Sequence, residues 1–575
     1  MSLADEPEEK FNVSIPELIA AREIRSSDPA PNYRQAFADW RQAIGEQHVR
    51  VDNELLRVVA TTTFATRQQV PAILRPANTG EVQACVHIAN RHRVPIYPIS
   101  KGKNWGYGSR VPVQDGNVVM DLGRLNRISD YCEELAHVTV GPGVTQGQIC
   151  DFLHEQSART FMAISGGPRD SSLIGNTLER GVAKGVYGDR IAHIAAMEVV
   201  LPTGEVIRTG HSRYPESDLG PISEWGVGPA VNGLFSQSNL GIVTSMTFWL
   251  SPEPAFFQTL FFSIDDDRKA GEVIDALRGL RLQGLALPVG LWNDYRMLAT
   301  RSRYPWSRAK GITPLPKALL EQEKRRLKID RWNGWGALYN LSREQGLAER
   351  RLITKALAGK VDSLLFLDNN RIKWMERLPG FTKLILGRDP AMLTRLHRES
   401  SFKGYTEDEF VAMAYWRKPG PIPAAMDADR DGCGTIWSYP SLPFQGRHMK
   451  RLVKITEEIC LRHGFEPKIA LLCVTGRKIN VAINPVYDRS VQGEDDRAMA
   501  CHRELIGALH GAGYLSSRLG IQSMESMPQS DDDYGHFMRV LKTSLDPNDI
   551  LSPGRYDFRD RWPREATRAH LKPAE

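Results

Sequence analysis

One stretch decides the fold of this chain, Pro98-Ile99-Ser100-Lys101-Gly102-Lys103-Asn104-Trp105-Gly106-Tyr107-Gly108. A second glycine-rich stretch, SGGPRDSSLIGN, follows at residues 165–176. Both place glycines among hydroxyl and amide side chains, so the backbone can approach a large anionic ligand and direct N–H groups at it. Two loops of this kind predict one dinucleotide that is bound at two places.

The familiar phosphate-binding motifs do not fit these loops. The run Gly102-Lys103-Asn104 lacks the Ser or Thr of a P-loop. The nearest approach to a Rossmann fingerprint is Gly141-Pro142-Gly143-Val144-Thr145-Gln146-Gly147, where the third glycine comes one residue late and a proline separates the first two. The first loop also lies between two short strand-like runs, residues 93–97 and 116–122, rather than between a strand and a helix.

Composition excludes several classes of function. The chain has 575 residues, of which 41% are hydrophobic and 25% charged, as in globular proteins of two to four domains. Its 74 basic and 68 acidic residues are interleaved, which argues against a nucleic-acid partner. The sequence contains no apolar stretch of membrane-spanning length, and residues 1–10 are too acidic and polar for a secretory signal.

Cysteine usage points to a reducing compartment. The seven cysteines are scattered, odd in number and contain no C-x-x-C pair. We therefore expect a cytoplasmic protein without structural disulfides or a metal site.

The hydrophobic pattern changes once along the chain. Between residues 71 and 247, short strands such as 137–140 alternate with helices, predicted at 79–91 and 146–156. The run Ser251-Pro252-Glu253-Pro254 marks a plausible boundary. Long amphipathic helices follow, predicted at 266–282, 317–327 and 344–358. The pattern predicts an α/β or α+β first half, followed by a second, more helical layer over a sheet.

Several longer motifs accompany the two loops in a fixed order: residues 175–181 (GNTLERG), 197–205 (MEVVLPTGE), 235–244 (FSQSNLGIVT), 331–339 (RWNGWGALY) and 546–555 (DPNDILSPGR). From about residue 50 to 556 the chain resembles the vanillyl-alcohol oxidase and p-cresol methylhydroxylase flavoproteins. The resemblance implies an α+β, two-domain PCMH-type FAD-binding fold with a discontinuous FAD domain. It divides the chain into an N-terminal lead (1–50), the FAD-binding domain (51–252), an α+β cap domain for the substrate (253–500) and a C-terminal segment that completes the active site (501–575).

The resemblance also implies which residues bind FAD. They come from the two glycine-rich loops and from the motifs that follow them: Pro98, Ser100, Lys101, Gly102, Lys103, Asn104, Gly106, Tyr107, Gly108, Gly166, Ser172, Gly175, Asn176, Glu179, Gly181, Gly188, Asp189, Gly241, Ile242, Val243, Arg518 and Arg555.

Two further roles follow from the resemblance. Tyr107 could simply pack its ring under the loop, but the family's tyrosine at this position hydrogen-bonds the phenolic oxygen of the substrate. Arg518 could be an ordinary solvated charge, but the family's arginine lies by the flavin N1–C2 edge, where it stabilises charge that develops during hydride loss. The family's preceding tyrosine is replaced by Ser517, with Tyr514 nearby as a candidate substitute.

The active-site carboxylate also departs from the family pattern. The family's catalytic aspartate falls on Gly167 here, and Asp170 lies three residues further along the same loop. Two interpretations of Asp170 stay open. Its carboxylate acts as the catalytic base, or it caps the loop by accepting hydrogen bonds from the N–H groups of Leu173 and Ile174.

The usual flavin attachment points are missing. The histidine or tyrosine that links FAD in the family falls near Thr435, and the alternative histidine of the first loop is Lys103 or Asn104. We therefore expect noncovalent FAD, with Tyr439 and Cys433 as outside candidates for a linkage. His448 and His502 lie outside these motifs and are expected at the surface.

The resemblance implies an FAD-dependent oxidase or dehydrogenase that takes a hydride from the benzylic carbon of a para-substituted phenol or aromatic alcohol to flavin N5. The expected partners are a small aromatic substrate, molecular oxygen or a protein electron acceptor, and further copies of the chain in a homo-oligomer. The lost tyrosine and shifted carboxylate favour one alternative, a biosynthetic flavin enzyme acting on a non-phenolic alcohol or amine. A non-catalytic flavin-binding protein is the alternative outside enzymes.

Overall fold

The computed structural model describes residues 30–380, 390–406, 408–527 and 532–559. Expectations for the first 29 residues, for the short internal gaps and for the last 16 lie outside the described residues. Two sheets form in the first half of the chain and one large sheet in the second, with helices packed on them. The fold is α+β, as expected.

The first sheet contains β1 Val49–Arg50, β2 Ile73–Leu74, β3 Ile96–Ile99 and β4 Val118–Asp121, in the order β1-β2-β4-β3. β2 and β3 run parallel to β4, while β1 pairs with β2 antiparallel. A parallel sheet is buried on both faces, and Val118, Val119 and Met120 are fully buried in it. Its helices are Tyr33–Ile44, Asn53–Val59 and Thr79–His92.

The second sheet is antiparallel, in the order β5-β6-β10-β8-β9. Strand β10 lies at its centre, and a separate pair forms between β7 and β11. The strands are β5 Ile128–Cys132, β6 His137–Val140, β7 Thr160–Phe161, β8 Ile194–Val200, β9 Val206–Arg208, β10 Ile242–Trp249 and β11 Ser251–Pro252, and the helices are Gln146–Glu155 and Leu173–Leu178. The longer helix begins with a capping box between Thr145 and Gln148.

The large sheet has seven antiparallel strands, in the order β15-β12-β14-β13-β18-β19-β17. These strands are β12 Phe256–Ile264, β13 Val289–Asn293, β14 Trp332–Asn340, β15 Ser363–Leu367, β17 Ser441–Pro443, β18 Ile469–Cys473 and β19 Lys478–Ile483. The intervening and following strands, β16 Cys433–Thr435 and β20 Val486–Asp488, pair separately.

Helices cover one face of the large sheet, where the main hydrophobic core lies. Side chains alternate along a strand, so Leu471 points into this core while Ala470 and Leu472 line a cavity on the other face. The described helices from this part of the chain onward are Asp267–Leu282, Asp294–Arg301, Trp306–Ala309, Lys317–Leu327, Arg343–Leu357, Asn369–Arg377, Pro390–Arg398, Glu409–Ala412, Gly446–Arg462, Glu494–Gly511 and Asp533–Leu545. The predicted helical layer over a sheet is therefore present.

The C-terminal segment returns to the first sheet. The Ile96 N–H donates to the carbonyl of Ile550 at 2.7 Å, and the Ser552 N–H donates to the carbonyl of Ile96 at 2.9 Å. Residues 550–552 therefore lie beside β3, next to the first glycine-rich loop. The domain boundaries at 50, 252 and 500 stay predictions.

The expectation that His502 lies at the surface is wrong. His502 is 1% exposed, and its ring nitrogens hydrogen-bond the hydroxyls of Ser438 and Ser523 at 3.0 and 2.7 Å. Burial lowers its pKa to about 3, so the ring is neutral. His448 is half-buried against the hydroxyl of Tyr514.

All seven cysteines are free thiols. Among the described helices, none combines the length and the apolar character that crossing a membrane requires.

Candidate active site

A cavity of about 440 Å³ lies between the two glycine-rich loops and the inner face of the seven-stranded sheet. Ligand and cofactor sites usually occupy cavities of this size class. Most of the predicted FAD-binding residues line it: Pro98, Ser100, Lys101, Gly102, Lys103, Asn104, Tyr107, Gly166, Ser172, Gly175, Asn176, Glu179, Gly181, Gly241, Ile242, Val243, Arg518 and Arg555. Residues from about 98 to 555 therefore meet at one site.

Four predicted FAD-binding residues do not reach the cavity wall: Gly106, Gly108, Gly188 and Asp189. Gly106 has φ +77°, and a Cβ there would lie 2.1 Å from Cδ1 of Trp437. Gly108 has φ +114° and a Cβ would lie 2.6 Å from Cγ1 of Ile521. These glycines are required because the back of the loop packs against neighbouring side chains.

The first loop is anchored to a segment more than three hundred residues away. The Lys103 ammonium pairs with Asp427 at 2.8 Å. Asp429 accepts hydrogen bonds from the Ser109 hydroxyl at 2.8 Å and the Trp105 indole N–H at 3.1 Å. Burial raises the pKa of Asp429 to about 7. These contacts hold the loop in place over the cavity.

Glu179 joins the second loop region to the C-terminal segment. It pairs with the Arg555 guanidinium at 2.6 Å and with Arg518 at 3.6 Å, and it accepts a hydrogen bond from the Tyr556 hydroxyl at 3.0 Å. Burial alone would raise the pKa of Glu179, but Arg555 and Arg518 outweigh burial and hold the pKa below its usual value. The carboxylate is therefore ionised and neutralises one of the two arginines.

Arg518 lies over the ring of Tyr107. Its Cζ is 4.2 Å from the ring centroid, and Nη2 donates to Oδ1 of Asn104 at 2.5 Å. Tyr107 also stacks on Trp437, with centroids 6.4 Å apart. Burial raises the pKa of Tyr107 to about 12, against the opposing effect of Arg518. The hydroxyl of Tyr107 is therefore protonated and able to donate a hydrogen bond into the cavity.

Tyr439 lies beside Ser517, the residue that stands where the resemblance implies a tyrosine. The Ser517 N–H and hydroxyl both donate to the backbone carbonyl of Tyr439, at 2.9 and 3.1 Å. The Tyr439 side chain lines the cavity, and burial together with the neighbouring Tyr107 raises its pKa. Tyr514, the sequence-based candidate, is buried against His448 and does not line the cavity.

Asp170 is not brought to the cavity wall. Its side chain is 55% exposed and pairs with the Lys103 ammonium at 3.1 Å. It is not the cap of the following helix, because Ser172 has that position and accepts from the Gly175 N–H at 3.0 Å. The capping interpretation is therefore wrong, and a catalytic role for Asp170 stays a prediction.

Two cavity cations were missed by the sequence analysis. Arg296, in the first turn of helix Asp294–Arg301, lies with Cζ 5.3 Å from the Trp292 ring and 5.5 Å from the Trp437 ring. Lys184 lies over Phe410 at 4.1 Å and donates to the Ser401 hydroxyl at 2.6 Å. The pattern Trp292-Asn293-Asp294-Tyr295-Arg296 is polar enough to suggest a surface turn, whereas most of this helix is buried.

The charge of the cavity fits an anionic dinucleotide. Among the described lining residues, Glu179 is the one carboxylate. Six lining residues are basic: Lys101, Lys103, Lys184, Arg296, Arg518 and Arg555. Five buried polar atoms on this wall make no hydrogen bond within the described residues: Oγ of Ser238, Nε1 of Trp292, Nε of Arg296, Nε of Arg518 and Nη1 of Arg555. Buried polar groups are normally paired, so these atoms fit a ligand such as FAD.

Comparisons with known proteins agree with this arrangement. Residues 70–210 match the family model described as FAD binding domain. The chain is 44% identical to 1'-carboxy-chondrochloren decarboxylase of Chondromyces crocatus, over 92% of this chain and 98% of that protein. It is 30% identical to the 4-cresol dehydrogenase [hydroxylating] flavoprotein subunit of Pseudomonas putida, over 91% and 95%. The crystal structure of p-cresol methylhydroxylase with substrate bound superposes with a TM-score of 0.82 at 27% identity, covering 92% of this chain and 98% of that one.

Proposed function

Because the chain belongs to the p-cresol methylhydroxylase (PCMH-type) family of FAD-dependent flavoproteins, we propose that it oxidises a para-substituted phenol at the benzylic carbon. FAD, when bound, supplies a two-electron acceptor for the hydride that leaves this carbon. The cavity-lining residues of the two glycine-rich loops, together with Arg518 and Arg555, are the ones that would hold it. We propose oxygen or a protein as the final electron acceptor, with a cytoplasmic homo-oligomer as the working form.

The observation that carries this proposal is the contact between Arg518 and Tyr107 at the cavity wall. Loss of hydride from a para-alkylphenol is easiest from the phenolate, because the oxygen then donates electrons into the ring. The Tyr107 hydroxyl donates a hydrogen bond to that oxygen, and the fixed charge of Arg518 stabilises its anionic form. Tyr439 supplies the second hydroxyl in place of the family's tyrosine. The aromatic rings of Trp292, Trp335 and Trp437 exclude water from the oxidised substrate.

A second candidate is oxidative decarboxylation of a phenol that carries a carboxylate on the carbon next to the benzylic one. Two observations favour it: the buried cation Arg296 in the cavity, and the 44% identity with a protein named as a decarboxylase of a carboxy compound. After loss of the phenol proton and a hydride, the substrate is a quinone methide. The electron pair of its C–CO₂ bond then forms the side-chain double bond and restores the phenolate as CO₂ leaves, so atoms and electrons balance.

Replacement of Tyr107 by Phe tests the phenol assignment. We expect Tyr107→Phe to slow anaerobic reduction of the flavin by 4-ethylphenol about 10- to 100-fold, the loss of one hydrogen bond to a charged group. Flavin content and melting temperature serve as controls for folding. Reduction at the wild-type rate would contradict the role of Tyr107. Failure of every phenol to reduce the wild-type flavin would leave the alternative of a flavin-binding protein without this chemistry.

A further inference from the structure

We propose that Arg296 binds a carboxylate of the substrate, in a subsite of the cap that is separate from the phenol site at Tyr107 and Arg518. This inference rests on the proposed function, because it assumes a para-substituted phenol in the cavity. It adds the class of substrate, a phenol whose para side chain carries a carboxylate.

Arg296 has no counter-ion among the described residues. Arg296 is 7% exposed, yet no described carboxylate lies within 4.0 Å of its guanidinium. Its one polar side-chain contact is a long one, 3.4 Å from Nη1 to Oδ1 of Asn484, and its Nε makes no hydrogen bond within the described part of the chain. Leaving a buried charge without a partner is strongly unfavourable, so the site favours an anionic ligand.

Two other arginines of the same part of the chain each have a carboxylate partner. Arg417, 2% exposed, pairs with Glu466 at 2.6 Å. Arg331 pairs at 3.0 Å with Asp294, which lies only two residues before Arg296 in the sequence. Asp294, although it is close to Arg296 in the sequence, therefore pairs with Arg331 and not with Arg296. Lys468 is also buried and its ammonium makes no hydrogen bond within the described residues, but it does not line the cavity.

The position of the guanidinium indicates the kind of ligand. It lies between the indoles of Trp292 and Trp437 at the cavity wall, so an anion bound there is shielded from water. A planar guanidinium matches the two oxygens of a carboxylate. Trp437 also stacks on Tyr107, so one ligand can contact both ends of this row of rings. A phenol oxygen at Tyr107 and a carboxylate at Arg296 then belong to the same molecule.

Two unreactive ligands test this assignment on the FAD-loaded enzyme. (4-Hydroxyphenoxy)acetate and 4-ethoxyphenol both replace the benzylic carbon by oxygen, so neither can lose hydride there, and they differ only in a carboxylate against a methyl group. Isothermal titration calorimetry gives their affinities for wild type, Arg296→Met, Arg296→Lys and the matched cavity variant Lys184→Met. Flavin content and melting temperature check that each variant is folded, and Arg296→Lys keeps the test available if Arg296→Met does not fold.

We expect wild type to bind the carboxylate ligand more tightly than 4-ethoxyphenol. Arg296→Met should lower the affinity for the carboxylate ligand about 30-fold or more, as for loss of one partner of a buried charge pair. The affinity for 4-ethoxyphenol should fall less than about 3-fold. Arg296→Lys keeps the charge but loses the planar guanidinium that can hydrogen-bond both carboxylate oxygens. Its affinity for the carboxylate ligand should therefore lie between those of wild type and Arg296→Met.

The inference would be overturned if Arg296→Met lowered the affinity for both ligands equally, or for neither. It would also be overturned if Lys184→Met lost the preference for the carboxylate ligand while Arg296→Met kept it. If wild type binds 4-ethoxyphenol without preferring the carboxylate, only the role of Arg296 fails. If wild type binds neither ligand, the phenol assignment fails with it.

Discussion

Replacement of Arg518 by Ala removes the charge nearest to the proposed phenol site. The guanidinium lies 4.2 Å from the Tyr107 ring and is fixed by Asn104 and Glu179. Its removal leaves Glu179 paired with Arg555 at 2.6 Å, so the carboxylate keeps a counter-ion. We therefore expect the variant to fold, with Arg555 and the two glycine-rich loops left to hold FAD.

The expected loss of rate in Arg518→Ala follows from the strength of the interaction between a guanidinium and a phenolate. A unit charge about 4 Å from a phenolate interacts with it by about 4 kcal/mol at an effective dielectric constant of about 20. Part of this interaction is already present in the bound substrate and does not affect the barrier. The loss in the transition state should be about 2 to 4 kcal/mol, as for other preorganised charge-stabilising groups. The rate of flavin reduction should then fall about 30- to 1000-fold.

Stopped-flow reduction of the flavin by a 4-alkylphenol, in the absence of oxygen, measures this rate directly. The limiting rate should fall more than the substrate affinity does, because the charge is needed mainly in the transition state. Arg518→Lys is the matched control, since it keeps the charge and should recover part of the rate. A limiting rate within about 3-fold of wild type in Arg518→Ala would refute the placement of Arg518 beside the reacting phenol.

Three further predictions concern the cofactor, the loop and pH. FAD should be released into the supernatant by acid precipitation, because the described lining residues include no histidine or cysteine and the resemblance places the usual linking position near Thr435. A yellow pellet would contradict this and would point to a linkage through Tyr439, which lines the cavity. Asp170→Asn should change turnover by less than about 3-fold, because the exposed ion pair that it removes contributes about 1 kcal/mol or less; a loss of tenfold or more would identify Asp170 as the base. Burial raises the pKa of Asp429 to about 7, so between about pH 4 and 7 the folded state binds more protons than the unfolded state and stability falls as pH rises. Asp429→Asn should therefore lose less stability than wild type between pH 5 and pH 8, measured as the change in melting temperature. The same change in wild type and in Asp429→Asn would contradict the raised pKa of Asp429.

Local elements were predicted well because their patterns are local. Helix Lys317–Leu327 and strand His137–Val140 have the predicted bounds, since an amphipathic period or an apolar run between turn residues specifies each one. Strand β3 begins at Ile96 rather than at residue 93. The helix before it ends at His92, and its C-cap residue Arg93 is in the left-handed conformation, with φ 55°. This cap occupies the first position of the predicted strand.

The site could be predicted only in part, because its side-chain pairs join distant segments. Glu179 and Arg555 are 376 residues apart, and Lys103 and Asp427 are 324 apart. No sequence pattern indicates such a pair. Arg296 was missed for a related reason: its helix has a polar sequence, but the sheet and the segment around Met413 bury it from both sides. Tyr439 was considered only as a flavin attachment point, whereas its side chain lies beside Tyr107 in the cavity.

The most direct test of the proposed function compares a phenol with its own methyl ether. Wild-type enzyme with FAD is mixed without oxygen with 4-ethylphenol or with 4-ethylanisole, and the loss of flavin absorbance is followed in time. The ether cannot form a phenolate, so Tyr107 and Arg518 have no anion to stabilise. We predict rapid bleaching by 4-ethylphenol and little or none by 4-ethylanisole. Equal or faster bleaching by the ether, or by an aliphatic alcohol or amine, would contradict phenol oxidation and favour the non-phenolic alternative.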